Sequence, residues 1–144
     1  MKHTLYSEID IIAPKELIWK HLVDFPSYEE WNPFIHSIQG TAKLNSRLKI
    51  VIGKMKFTPT ILELLENKKL TWLGSLWTRG IFDGKHTFEI VENEKSCTFI
   101  QREEFKGILV RFFRKNLNSE TLTGFHSMNK ELKRLCENKK RPSV

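Results

Sequence analysis

Residues 81–106 read IFDGKHTFEIVENEKSCTFIQREEFK, and they contain two segments in which apolar and polar side chains alternate. A period of two is typical of β-strands, because successive side chains point to opposite faces of a sheet. We therefore predict strands over residues 81–92 and 96–106, joined by a two-residue turn at Glu94 and Lys95.

This turn determines which residues face each other across the predicted hairpin. The more apolar face of the first strand carries Phe82, Gly84, His86, Phe88 and Ile90, and that of the second carries Cys97, Phe99, Gln101, Glu103 and Phe105. Antiparallel pairing then places Ile90 opposite Phe99, Phe88 opposite Gln101, His86 opposite Glu103, and Gly84 opposite Phe105.

His86 and Glu103 are polar neighbours on this inward face. A lone buried carboxylate is costly, and an adjacent imidazole offsets that cost. Three interpretations stay open: a structural pair that fixes the strand register, a pair that faces a ligand, or a catalytic acid and base.

The preceding part of the chain has the pattern of a strand, two short helices and further strands. Residues 3–12 alternate, Pro14 suits the first turn of a helix that runs to Asp24, and Pro26 and Pro33 leave room for about one helical turn between them. We predict the other strands over residues 36–44, 47–54, 56–66 and 69–76.

The last third of the chain changes to helical spacing. One face of a long helix carries Leu122, Phe125, Met128, Asn129, Leu132, Leu135 and Cys136. Ser119 or Thr121 is the predicted N-cap of this helix. We predict a single domain over residues 1–138, followed by a basic, frayed tail at residues 139–144.

Composition excludes several classes of protein. A chain of 144 residues that is 40% hydrophobic and 11% aromatic can form one packed domain. It contains no Gly-rich phosphate loop, and Cys97 and Cys136 match no metal-ligand spacing, so we expect no cofactor, no metal site and two reduced, buried thiols. No stretch has the length of a membrane span, which favours a cytoplasmic protein without stable membrane insertion.

The net charge of +7 raises the question of a polyanionic partner. Clustered basic residues occur near the C-terminus, at Lys130, Lys133, Arg134, Lys139, Lys140 and Arg141. We interpret them as a solvated helix face that continues into the tail, and we expect no nucleic-acid partner. Docking of this end on nucleic acid or an anionic membrane is the alternative.

Several segments together resemble the START-like, or helix-grip (SRPBCC), superfamily, in particular its bacterial polyketide cyclase/dehydrase-like branch. The segments, in chain order, are APKELIW at 13–19, FPSYEEWNPF at 25–34, LTWLG at 70–74, FDGKHTF at 82–88 and EEFKG at 103–107. The resemblance covers nearly the whole chain.

The resemblance implies a seven-stranded curved antiparallel sheet that wraps around the long C-terminal helix, with a deep cavity between them. It suggests that the cavity binds a small hydrophobic ligand, such as a lipid, an isoprenoid or a polyketide-like molecule. The alternative is an enzyme of the polyketide cyclase/dehydratase type that uses His86 and Glu103 as acid and base. The sequence does not decide between a monomer and a dimer. The candidate ligand-binding residues are Trp31, Trp72, Trp77, Phe82, His86, Phe88, Phe99, Gln101, Glu103, Phe105 and Phe125.

Overall fold

The structure is a computed structural model that describes residues 2–76 and 78–138. The predicted tail at 139–144 and the side chain of Trp77 therefore lie outside the described residues. The strands are β1 (Lys2–Ile11), β2 (Ser37–Gln39), β3 (Lys49–Ile52), β4 (Met55–Phe57), β5 (Thr60–Leu65), β6 (Lys69–Leu76), β7 (Phe82–Glu92) and β8 (Cys97–Lys106). The α-helices are α1 (Lys15–Val23), α2 (Tyr28–Trp31), α3 (Val110–Asn116) and α4 (Leu122–Glu137).

The strands form two antiparallel sheets. The larger sheet has the order β1-β8-β7-β6-β5, and the smaller one has the order β2-β3-β4. A bridge between Arg47 and Thr60 and a hydrogen bond from the Leu48 amide to the Pro59 carbonyl (2.8 Å) join the small sheet to the start of β5. The small sheet thus continues the curvature of the large one.

The β7–β8 hairpin has the predicted register. His86 pairs with Glu103, and Phe88 pairs with Gln101. The Asn93 amide donates to the Ser96 carbonyl at 2.8 Å, which closes the turn at Glu94 and Lys95. This hairpin is the centre of the large sheet, because β1 pairs with β8 and β6 pairs with β7.

The prediction of seven strands was wrong, because the structure contains eight within the described residues. The predicted strand over 56–66 is split into β4 and β5 by Thr58 and Pro59, and proline has no amide proton to donate to a strand ladder. At this break the chain leaves the small sheet, which contains β4, and enters the large sheet, which contains β5.

The predicted strand over 36–44 is also much shorter than expected. Gly40 has φ +133°, a conformation that ends β2, and the Ser46 hydroxyl donates to the carbonyls of Thr41 (2.6 Å) and Lys43 (2.8 Å). Residues 40–46 therefore form a compact turn between β2 and β3.

The two short helices occur where they were predicted, as α1 and α2, with a 3₁₀ turn over Phe25–Ser27 between them. Asn32 ends α2, and its Oδ1 accepts hydrogen bonds from the amides of Phe34 and Ile35, both at 2.9 Å. The Asn-Pro pair thus has a structural role in turning the chain.

The C-terminal helical region begins earlier than predicted. It starts with α3 at Val110, continues through a π-helical segment over Leu117–Thr121, and ends with α4. Ser119 and Thr121 are therefore inside the helical region and are not N-caps; the Ser119 hydroxyl donates to the Lys115 carbonyl at 2.9 Å. The residue that precedes the helical region is Leu109, whose side chain cannot cap a helix, so no cap signal marks this start.

The core lies between the inner face of the large sheet and the helices. The predicted apolar face of α4 is confirmed, since Phe125, Met128, Leu132 and Cys136 are fully buried and α4 packs against β1. Cys97 is also buried, and both thiols are free, as expected. A second apolar cluster forms beside the main core around Leu5, Phe82, Phe105, Val110, Leu117 and Phe125.

Candidate functional site

A cavity of about 500 Å³ opens between the two sheets and the α3 end of the helical region. Aliphatic side chains and aromatic rings make up most of its wall, with a few polar groups among them. Its apolar lining residues are Phe34, Ile35, Ile50, Ile52, Met55, Phe57, Pro59, Trp72, Leu76, Phe82, Phe105, Phe113 and Leu117.

The candidate residues fall into two sets by position. Trp72, Phe82, His86, Glu103 and Phe105 line the cavity. The remaining described candidates pack behind the wall as part of the buried interior; these are Trp31, Phe88, Phe99, Gln101 and Phe125.

A chain of buried polar side chains connects the cavity wall to β1 by way of α4. His86 Nε2 lies 2.9 Å from Gln101 Oε1, Gln101 Nε2 donates to Asn129 Oδ1 at 2.7 Å, and Asn129 Nδ2 donates to Ser7 Oγ at 3.0 Å. At the cavity end, Glu103 Oε1 lies 3.1 Å from His86 Nδ1. The buried side chains of this network, His86, Gln101, Asn129 and Ser7, therefore each have a polar partner, as burial requires.

The Phe125 carbonyl sets the direction of this network. A carbonyl oxygen only accepts, so the Gln101 nitrogen that lies 3.3 Å from it must be the donating amide nitrogen. The other end of that amide, Oε1, is then the acceptor that faces His86 Nε2. It follows that His86 carries a proton on Nε2.

This assignment determines how many further protons the His86–Glu103 pair is suited to hold. With Nε2 protonated, an unprotonated Nδ1 would direct its lone pair at a carboxylate oxygen 3.1 Å away. One further proton, on either Nδ1 or the carboxyl group, removes that repulsion. The pair is therefore suited to hold one proton at the cavity wall.

Both members of the pair line the cavity, and Glu103 is the more exposed of the two. The side chain of His86 is 4% exposed and that of Glu103 is 16% exposed. The His86 ring is enclosed by aromatic rings, with the Phe88 ring stacked at 4.2 Å and the Phe125 ring at 5.0 Å between centroids. Because both nitrogens of His86 face protein partners, the second Glu103 oxygen, Oε2, is the polar atom of the pair that is free to meet a ligand. It has no hydrogen-bond partner in the described part of the chain.

The sequence of this chain matches the model of a known protein family. The family model described as "Polyketide cyclase / dehydrase and lipid transport" matches residues 2–137. The chain belongs to this family. The resemblance stated from the sequence segments is thereby confirmed. No curated protein sequence matches the chain significantly.

Solved structures show the same fold at low sequence identity. A hypothetical protein of Helicobacter pylori, jhp0584, superposes with a TM-score of 0.81 at 15% identity, over 93% of this chain and 88% of that one. The Aha1 dimer protein of Colwellia psychrerythraea gives 0.74 at 16% identity, over 94% and 97%. StfQ, a di-domain ARO/CYC protein of the steffimycin biosynthetic pathway, gives 0.79 at 7% identity, over 95% of this chain and 52% of that one. At these identities, the likeness establishes the fold alone.

In this member of the polyketide cyclase/dehydrase and lipid transport family, part of the cavity wall was missed by sequence reasoning. Ile50, Ile52 and Phe57 of the small sheet line the cavity, as do Phe113 and Leu117 of the helical region. A signal for the last two was present, because Val110, Phe113 and Leu117 fall at spacings of three and four residues. Reading the helix from residue 110 would have placed them on one face.

Asn129 was also missed as a partner of the polar network. It lies on the apolar face of α4 and is 2% exposed. A polar residue at a core position of an amphipathic helix is a signal for a buried hydrogen bond. Its partners, Gln101 and Ser7, are far away in sequence, and their identity needed the three-dimensional structure.

Proposed function

We propose that the cavity binds a small hydrophobic molecule that carries a polar end group. The observation that carries this proposal is an apolar cavity of about 500 Å³ with the Glu103 carboxyl group in its wall. Ligand pockets have volumes of about 300–1,000 Å³ and combine an apolar lining with few oriented polar groups. A lipid, an isoprenoid or a polyketide-like molecule has this chemistry.

The apolar wall supplies the affinity of the proposed complex. Burial of apolar surface contributes roughly 25 cal/mol per Å², so each 100 Å² of ligand surface adds about 2.5 kcal/mol before the costs of association. The polar end supplies the orientation. A hydroxyl or amine proton of the ligand would meet Glu103 Oε2, the oxygen that is not directed at His86.

The binding proposal is tested with a neutral apolar fluorophore, N-phenyl-1-naphthylamine. Ile52 lies in the cavity wall, and Ile52→Trp would fill part of the cavity. Leu62→Trp is the matched control, because Leu62 is 44% exposed on β5 and is not a lining residue. We expect the first variant to weaken probe binding about tenfold or more and the second to leave it unchanged. Equal probe binding by the two folded variants would contradict the proposal.

A second experiment addresses the natural ligand. Organic extraction of the protein purified from its cell extract, followed by mass spectrometry, should give an apolar compound that is depleted in the Ile52→Trp protein. The same compound, added back, should raise the melting temperature of the unmodified protein more than that of Ile52→Trp.

A second candidate function is acid–base catalysis of cyclisation or dehydration. The observation that favours it is the placement of the His86–Glu103 pair, with one proton to share, in the wall of an apolar cavity. Glu103 as a carboxylate is suited to take a proton from a substrate carbon and, in a dehydration, to return it to the departing hydroxyl group, which leaves as water. The imidazolium beside it would stabilise the carboxylate. Loss of water from a 3-hydroxyacyl thioester, followed by absorbance of the conjugated product, tests this function. Turnover that is unchanged in Glu103→Gln would remove the pair from the chemistry.

A further inference from the structure

Residues 106–116 form an exposed surface that is both apolar and basic. We call it the α3 surface and define it by Lys106, Ile108, Arg111, Phe112, Arg114 and Lys115. Ile108 is 69% exposed and Phe112 is 65% exposed, which are among the highest exposures of large hydrophobic residues in the described chain. Large apolar side chains that cluster on a surface mark interaction sites more often than single ones do.

The two apolar residues of the α3 surface lie close together in the chain. Ile108 belongs to the turn that precedes α3, and Phe112 lies in the first turn of the helix. The helix is held to the protein mainly by buried Val110 and by the ring of Phe113, which packs edge-on against Phe82 with centroids 5.4 Å apart. All positions from 111 to 116 are exposed. The start of α3 therefore exposes two large apolar side chains, Ile108 and Phe112.

The charge of the α3 surface is entirely positive. Residues 106–119 contain no Asp or Glu. In the described chain, none of its four basic residues forms an ion pair. The Arg111 guanidinium lies 4.9 Å from the centroid of the Phe112 ring, so cationic and apolar groups are directly adjacent. Basic side chains around exposed apolar residues complement a surface of anionic headgroups over hydrocarbon.

The α3 surface lies at the cavity. Phe113 and Asn116 of α3 and Leu117 of the π-helical segment line the cavity wall, while Arg111, Phe112 and Arg114 of the same helix face solvent. An occupant of the α3 surface would therefore sit beside the cavity. A nucleic acid fits less well, because Ile108 offers no aromatic face for base stacking.

We propose that the α3 surface docks on anionic lipid membranes. Ile108 and Phe112 enter the boundary between headgroups and acyl chains, and the four basic residues bind the headgroups. The attachment is peripheral, since no helix in residues 2–76 and 78–138 is long and apolar enough to cross a bilayer. Membrane docking does not depend on the proposed ligand-binding function. If the protein has both properties, an apolar ligand could pass between the membrane and the cavity without crossing water.

The test is co-sedimentation of the full chain with vesicles of phosphatidylcholine and phosphatidylglycerol in equal parts, compared with vesicles of phosphatidylcholine alone. We expect binding to the anionic vesicles that weakens as salt is added. The double variant Ile108→Ser/Phe112→Ser should bind about tenfold or more weakly, and so should Arg111→Glu/Arg114→Glu.

Matched controls lie at the opposite end of the sheet. Lys2 pairs with Lys106 at one end of β1, and Ile11 pairs with Cys97 at the other, about 30 Å away along a ten-residue strand. Ile12→Ser removes an equally exposed apolar residue, and Lys95→Glu reverses a charge in the hairpin turn. Both should bind vesicles like the unmodified protein. A further variant, Lys139→Ser/Lys140→Ser/Arg141→Ser, tests the basic tail.

Several results would overturn the proposal: no binding of the unmodified protein to anionic vesicles, α3 variants that bind normally, or a loss of binding confined to the tail variant. A change from dimer to monomer on Ile108→Ser/Phe112→Ser, without vesicle binding by the unmodified protein, would assign the surface to a second copy of the chain instead. Binding of N-phenyl-1-naphthylamine is measured on the same variants. Because this probe reports on the cavity and not on the α3 surface, it distinguishes a failure of the docking proposal from a failure of the cavity proposal.

Discussion

The Glu103 carboxylate lies over Gly84 of the neighbouring strand, and a Cβ atom added to Gly84 would be 2.5 Å from Glu103 Oε2. Gly84 pairs with Phe105 and Glu103 pairs with His86, two positions apart in the β7–β8 hairpin, so both residues lie on the same face of the sheet. The absence of a side chain at residue 84 thus provides the space in which the carboxylate lies beside His86 and faces the cavity.

We predict that Gly84→Ala displaces the Glu103 carboxylate from His86 while the protein stays folded. The contact involves the end of a flexible side chain, which can move, and alanine in a strand is more favourable than glycine by about 0.5–1 kcal/mol. The ¹⁵N resonance of His86 Nδ1 in long-range ¹H–¹⁵N spectra should change. Gly74→Ala is the control, because Gly74 pairs with Gly84 across β6 and β7, and its added Cβ would contact Pro59 (3.2 Å) and not Glu103. An unchanged Nδ1 resonance in Gly84→Ala would show that the carboxylate does not need this space.

The second prediction concerns Gln101, which is fully buried in the polar network. Gln101→Leu leaves His86 Nε2 and Asn129 Oδ1 without their partner, and an unsatisfied buried polar group costs about 1–3 kcal/mol. We expect the free energy of unfolding in urea to fall by about 2 kcal/mol or more. Gln39→Leu, the same substitution at an exposed position of β2, should change it by less than about 0.5 kcal/mol.

A double-mutant cycle separates the network from simple packing. If Gln101 and Asn129 act through their mutual hydrogen bond (2.7 Å), Gln101→Leu/Asn129→Leu should cost less than the sum of the two single variants. Strict additivity would mean that the bond between the two amides contributes nothing to stability.

The part of the site that could be predicted from the sequence is the β7–β8 hairpin. Strict alternation on both sides of a short turn leaves a single register that keeps the apolar faces together, and it placed His86 opposite Glu103 correctly. The wider network could not be predicted in the same way. The bond from Gln101 to Asn129 depends on the docking of α4 across the sheet, and no local pattern encodes that distance.

Two features of the fold could not be predicted from the sequence, each for a local reason. Pro59 divides one alternating run into β4 and β5, although the hydrophobic pattern on each side of it stays strand-like. The start of α3 has no capping residue, and six exposed positions follow Val110, so the usual signals of a helix start and of a buried face are both weak there. The cavity wall that α3 contributes was missed for the same reason.

The third prediction is an acid dependence of stability at the end of α4. The Ile12 amide donates to Glu137 Oε2 at 2.8 Å and Lys133 Nζ lies 2.7 Å from it, and these contacts, the amide first, lower the pKa of Glu137. An unfolded glutamate has a pKa of about 4.3, so at any higher pH the ionised Glu137 side chain contributes its full stabilisation to the folded protein. This stabilisation is lost as the pH falls through the lowered pKa of the folded state.

Glu137→Gln should therefore lower the urea midpoint at about pH 7 and have a smaller effect at about pH 3. Glu131→Gln is the control on the same helix, because it removes an exposed pair with Arg134 (3.1 Å) of the kind that contributes little to stability. An equal effect of Glu137→Gln at both pH values would show that its contacts act through packing and not through the charge.

The last prediction reverses the usual effect of a substitution in a helix. Gly124 lies in α4, where alanine is normally more stable than glycine by about 1 kcal/mol. An added Cβ at this position would overlap the ring of Phe34, which packs edge-on against Phe125 with centroids 5.6 Å apart and lines the cavity. We expect Gly124→Ala to lower the free energy of unfolding by about 1–3 kcal/mol through overpacking. In the Phe34→Ala background, which removes the ring, the same substitution should be neutral or stabilising, because helix propensity then acts alone. Gly124→Ala that stabilises the unmodified protein in urea would mean that the Phe34 ring moves aside at little cost and does not hold its place at the cavity.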